Sequence, residues 1–246
     1  MNRTTAQQYQ RIFLLSHMRA YSSLVGHILG SHPQINGYYE MHMSYTGTTD
    51  LDQQLRLYMQ TETLKDGSVY LFDKLLHNDY ALDMRILAGT DYRILMSIRS
   101  PENSLKSIIH LFQAKQTEQP YADPVQATDY YIQRLESLAD FSKKNPGLYC
   151  YFDAELIKTD SRNLLRTLTR WCELSPPLSD RYQTFTLTGQ ARAGDSSALI
   201  SSGKIEAAEE DYSVVGLEAQ YISQAEQAYT EYRGVMLRNA RESLTL

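Results

Sequence analysis

Three stretches of the chain set cations and hydroxyls at the ends of apolar runs. In the first, Ile12-Phe13-Leu14-Leu15 leads into Ser16-His17-Met18-Arg19-Ala20-Tyr21-Ser22-Ser23, and Leu24, Ile28 and Leu29 follow at helical spacing. Strand, hydroxyl-rich turn and helix together make a phosphate cradle. The first N–H groups of a helix have no internal partners and face whatever lies before them. Arg19 adds a cation to those amides, and Ser22 and Ser23 add hydroxyls. The same layout with Ser22 as a plain helix cap is ordinary in α/β proteins, so the turn alone does not name a ligand. It holds no glycine and matches neither GxxxxGK[ST] nor GxGxxG.

The other two stretches decide the matter. Val69-Tyr70-Leu71-Phe72 delivers Asp73-Lys74, and the apolar run Tyr92 to Ile98 delivers Arg99. Ser107 follows Arg99 by eight positions, two turns into the next helix, so both side chains can grip one anion. Two anion grips in one cleft suit a nucleotide phosphorylated at two separate positions.

The elements that position these residues alternate between buried strands and helices. A fourth strand is expected at Leu148 to Phe152. Helices are expected at Asp50–Met59, Asp79–Leu87, Glu102–Gln113 behind Pro101, Val125–Lys143, Ser161–Trp171 with Ser161 as cap, and Leu217–Arg241. Such alternation calls for an α/β fold, a central parallel β-sheet flanked by helices with right-handed crossovers. Ligands in such sheets sit beyond the strand C-termini, where the first turn, Lys74 and Arg99 converge.

The chain has 246 residues, 42% of them hydrophobic and 22% charged, which suits one soluble domain over 1–246. A net charge of -5 argues against general nucleic-acid binding but leaves room for a local basic pocket. The polar start MNRTTAQQYQR lacks a leader core, no run reaches membrane-spanning length, and Cys150 and Cys172 lie far apart. A reducing, cytoplasmic setting fits these features. None of the 6 histidines has metal-ligand spacing, so no metal is expected. The 19 tyrosines suit packing at the core edge, with a binding cleft as the second reading. Oligomeric state is not legible.

In ordered series, these segments resemble the sulfotransferases that use 3'-phosphoadenosine-5'-phosphosulfate (PAPS), with a P-loop NTPase-like architecture. SIRSPENSLKSIIHL has that family's arginine–serine spacing, and SHMRAYSSLVGHILGSHP is similar to its phosphosulfate loop. HPQINGYYEMHMSY is similar to the carbohydrate-enzyme segment in which a glutamate two residues before a histidine is the base. LFDKLLH and TGQARAGDSSALISSGKI resemble its aspartate-lysine strand end and its late nucleotide-covering loop, here 184–204, with residues 212–246 as a C-terminal helical segment.

The resemblance implies sulfonate transfer from PAPS, with PAP (3',5'-adenosine bisphosphate) as product, to a hydroxyl or amine of a carbohydrate or small-molecule acceptor. It implies Glu40 as base, with His42 accessory, and Arg19 and Lys74 on the sulfonate and bridging oxygens. His77 or His42 stays open as the base, because another branch of the family uses a histidine. It also implies His17, Arg19, Ala20, Tyr21, Ser22 and Ser23 at the 5'-phosphate, and Arg99, Ser107, Arg192 and Gly194 around the rest of the nucleotide. Tyr21 stands where the family has glycine. Two other classes compete: a P-loop kinase, whose Gly-Lys loop is missing, and a catalytically silent nucleotide-binding protein.

Overall fold

A computed structural model describes residues 9–115, 119–189, 198–206 and 211–246. Six strands form one sheet: β1 (Gln10–Leu15), β2 (Ile35–Asn36), β3 (Tyr70–Leu75), β4 (Tyr92–Ile98), β5 (Tyr149–Asp153) and β6 (Glu242–Leu244). Their order is β2-β3-β1-β4-β5-β6, and every pairing is parallel. After β1 the chain goes out to the edge with β2 and comes back with β3 beside β1, then crosses to place β4 on the other side. The sheet therefore has its topological switch at the C-terminal end of β1, where a crevice opens for a ligand.

Helices cover both faces. On one, α1 (Ser22–Ser31), α5 (Leu156–Thr159) and α6 (Ser161–Trp171) pack against Ile12, Leu14, Phe72, Leu95 and Phe152. On the other, α3 (Pro101–Gln113), α4 (Pro124–Lys144) and α7 (Ala219–Asn239) cover Phe13, Leu15, Ile94, Met96 and Tyr151. Strand side chains alternate between these layers, so burial on both sides explains the unbroken apolar runs. A third cluster, around Tyr38, Tyr39 and Leu71, seats α2 (Thr48–Thr61) beside the β2 edge.

Two glycines of α1 let the segment before Glu40 approach closely. A Cβ on Gly26 would lie 2.4 Å from the Tyr38 carbonyl oxygen, and one on Gly30 would lie 2.6 Å from the Gly37 oxygen. Gly37 itself has a φ of 101° and rests on the Phe72 carbonyl. These contacts set the height at which Glu40 leaves the sheet edge.

Several local expectations are corrected. Asp79–Leu87 is not an α-helix. The Tyr45 and Leu82 backbones pair, with Tyr45 N–H donating to Ala81 O at 2.7 Å and Asp83 N–H to Tyr45 O at 2.8 Å, leaving only a 3₁₀ turn at Met84–Leu87. Asp160, not Ser161, caps α6, accepting from Asn163 N–H. Ser22 is the first residue of α1 rather than its cap; Tyr21 holds that place in a left-handed conformation. Asp73 and Lys74 lie within β3, which runs on to Leu75. The chain after α7 does not end as helix but returns to the sheet as β6.

Candidate functional site

The crevice beyond β1 is a cavity of about 690 Å³. Arg19, Tyr21, Ser22, Ser23, Glu40, His42, Lys74, His77 and Arg99 all line it. The first turn thus shares one hollow with the ends of β3 and β4. Ser107 lies just behind this wall, fully buried. Arg192 and Gly194 lie outside the described residues.

The loop between β1 and α1 is built by backbone reversal. Arg19 and Tyr21 have φ of 63° and 54°, left-handed values that cost about 1–2 kcal/mol each for a residue with a Cβ. Tyr21 recovers part of that cost through its ring. The Arg99 guanidinium lies 4.3 Å from the ring centroid and Lys158 Nζ 5.1 Å from it. The bulky residue at the glycine position therefore forms a wall of the cavity and organises two cations beside it.

Lys74 is 1% exposed and donates from Nζ to Ser23 Oγ at 2.9 Å, which brings a β3 cation to the head of α1. Arg19 reaches the other way: its Nε donates to Ser107 Oγ at 2.8 Å, and Ser107 Oγ donates to Tyr212 OH at 2.8 Å. Arg99 donates from Nη1 to the Arg19 carbonyl at 3.2 Å, and its buried Nε has no hydrogen-bond partner among the described residues. Two basic groups therefore face one cavity, Lys74 beside Ser22 and Ser23, and Arg99 with Arg19, behind which Ser107 is bonded. Ala20 is fully buried and is not among the residues that line the cavity.

His17 is turned inward. Its Nε2 accepts from Arg99 N–H at 2.9 Å, so Nδ1 carries the proton and donates to Met18 O at 2.8 Å. Burial holds the imidazole at a pKa of about 3, with Arg99 and Arg134 adding to the effect. His17 therefore joins the β1 loop to the end of β4 as a neutral ring. In the unfolded chain the same histidine titrates near 6.5. Its contribution to stability is complete above that pH and is lost as pH falls from 6.5 towards 3, by about 2 kcal/mol at pH 5. Denaturant midpoints at pH 8 and pH 5 should show this loss in the parent chain and not in His17→Gln; equal slopes in both would contradict it.

Glu40 is buried. Its Oε1 lies 3.7 Å from His42 Nδ1 and 3.9 Å from His77 Nε2, with no hydrogen-bond partner. Burial lowers the His77 pKa, and the Glu40 charge partly restores it. The Glu40 segment is fixed from below by Asp73. That carboxylate accepts from Met41 N–H at 3.0 Å, from Tyr45 OH at 2.6 Å and from Lys74 N–H at 2.7 Å. Burial pushes the Asp73 pKa up to about 7 despite these donors.

The part played by α4 is not announced by any of the motifs. Tyr130 OH accepts from Met18 N–H and donates to Leu76 O, both at 2.8 Å, while Tyr131 OH donates to Arg99 O at 2.7 Å. The buried Arg134 donates to Ser16 O, Leu75 O and His77 O at 2.8, 2.6 and 3.2 Å. One helix thus ties the ends of β1, β3 and β4 together. The available signal was Tyr130 and Arg134 one turn apart on an otherwise apolar face, since a buried arginine needs several acceptors.

An all-parallel sheet with basic and hydroxyl side chains around a crevice at its switch point defines an α/β fold of the open, doubly covered kind. Among such folds, this one is that of the sulfotransferases. The chain is similar to the sulfotransferase domain from the curacin biosynthetic pathway, with a TM-score of 0.58 and 16% identity, covering 92% of this chain and 98% of that one. It is also similar to the sulfotransferase domain of the Synechococcus PCC 7002 olefin synthase, with a TM-score of 0.57 and 16% identity, covering 91% and 95%. No family model and no curated protein sequence matches the chain. Among the described residues no group of acidic, histidine or cysteine side chains could hold a metal ion, and no helix is long and apolar enough to cross a membrane.

Proposed function

We propose that the chain, as a single domain over 1–246, transfers the sulfonate group of PAPS to a hydroxyl of a small-molecule acceptor. The observation that carries this reading is the pairing of two basic clusters in a single cavity with the buried Glu40 carboxylate, whose Oε1 has no hydrogen-bond partner among the described residues. The orphaned Arg99 Nε fits a ligand that brings its own acceptor oxygens, as a nucleotide phosphate does. PAPS, when bound, supplies an activated sulfonate on a phosphate leaving group.

Lys74, Ser22, Ser23 and the first amides of α1 hold the 5'-phosphate end. Arg99 and Ser107 hold the 3'-phosphate. Arg192 and Gly194 are assigned to the covering loop, and His17, Ala20 and Tyr21 shape the cradle. Glu40 takes the acceptor hydroxyl proton, with His42 and His77 around it. A bond forms between acceptor oxygen and sulfur as the bond from sulfur to the 5'-phosphate oxygen breaks, its electron pair leaving with the phosphate. Arg19, bonded to Ser107, and Lys74, on Ser23, stabilise the charge that develops on the sulfonate and leaving oxygens.

A thermal-shift comparison tests the donor assignment. 3',5'-Adenosine bisphosphate at about 100 times its Kd should stabilise the fold by about 2.7 kcal/mol without magnesium, and ATP at the same concentration by far less. Stabilisation by ATP and magnesium alone would instead favour the kinase reading over the sulfonate donor.

A further inference from the structure

Resting on the donor reading above, we infer that the acceptor is a phenol or alcohol with an apolar body and few other polar groups, not a sugar. Beside Glu40 the cavity is lined by His42, His77 and Phe112, and further rings that do not themselves line it pack against these. His42 and His77 lie 5.8 and 6.4 Å from Tyr80, Tyr130 lies 5.8 Å from His77, and Tyr121 lies 5.2 Å from both Tyr130 and Phe112. Met18, Leu76, Leu111 and Phe112 add apolar surface to the cavity lining.

Backbone polar groups of the lining residues Met18, Leu76 and His77 are engaged from behind. Tyr130 OH is committed to Met18 N–H and Leu76 O, and Arg134 holds the carbonyls of Leu75 and His77. A sugar leaving water here would need a partner for each hydroxyl, and each one left unpaired costs about 1–3 kcal/mol. At the inner end of this lining stand Glu40, with its unpartnered Oε1, and two imidazoles. That set serves one hydroxyl; the rings and aliphatic side chains beyond it serve an apolar body. Polar side chains return to the lining with Lys115, whose ammonium lies 3.8 Å from the Phe112 ring centroid, and Gln119.

The test uses the full chain with PAPS and four probes at matched concentration: 4-nitrophenol, 1-octanol, glucose and N-acetylglucosamine. The two apolar probes should exceed the sugars in kcat/KM by about 100-fold, and Phe112→Ala should raise KM for 1-octanol about 10-fold. The thermal shift with 3',5'-adenosine bisphosphate should persist in that variant. Sugars turned over as well as the apolar probes, or neither apolar probe turned over while the bisphosphate still shifts the melting curve, overturns the acceptor assignment and leaves the donor reading standing. Loss of the bisphosphate shift in the parent chain overturns both.

Discussion

Glu40→Gln should lower kcat by about 10²–10⁴-fold while leaving the melting temperature and 3',5'-adenosine bisphosphate binding close to those of the parent chain. The amide keeps the size and most of the polarity of the carboxylate but cannot accept the acceptor's proton. Because Glu40 Oε1 has no hydrogen-bond partner, the substitution breaks no bond at that oxygen. Folding therefore gives little reason for a loss of activity, and a large fall in kcat points to chemistry. His77 provides the control. Its Nε2 is 3.9 Å from the carboxylate, and burial favours its neutral, proton-accepting form. If Glu40→Gln falls less than about fivefold and His77→Gln falls 10²-fold or more, the imidazole is the base and Glu40 its charge partner.

The second large effect belongs to Lys74, and its sign differs between activity and stability. A cation held at 1% exposure is costly to desolvate, and methionine keeps the length of the side chain without that cost. Lys74→Met should therefore keep or raise the denaturant midpoint. The same change should lower kcat about 10²–10³-fold, the usual cost of removing one preorganised donor from a developing negative charge. A stabilised, inactive variant would show that the lysine is kept for its charge at the reacting group. A variant equally active, or one that unfolds, would assign Lys74 a packing role through Ser23 instead.

Much of the scaffold was legible in the chain itself. The runs Ile12–Leu15, Tyr92–Ile98 and Leu148–Phe152 are apolar without alternation because helices cover both faces of their strands, and that pattern also implies a parallel sheet. Pro101 and the Asn145-Pro146-Gly147 stop marked helix ends correctly because proline and glycine act on the local backbone, whatever surrounds it. Where local signals met tertiary pairing, pairing prevailed. The helical pattern at 79–87 yields to the Tyr45–Leu82 bridge, and Glu242–Leu244 is too short to read as a strand until β5 offers it a partner.

The same division holds at the cavity. Residue type and spacing alone selected Arg19, Ser22, Ser23, Lys74, Arg99 and Ser107, because a helix start after a strand and a cation at a strand end carry their chemistry locally. Direction was decided only by the folded chain. Arg19 turns toward Ser107, His17 turns inward as a neutral bridge, and Tyr21 lies against Arg99. Those orientations depend on Tyr130, Tyr131 and Arg134, residues more than a hundred positions from the β1 loop that meet it only when α4 lies across the sheet. Contacts at that separation leave no periodic trace in a sequence, since they record which surfaces pack together and not what any one segment prefers.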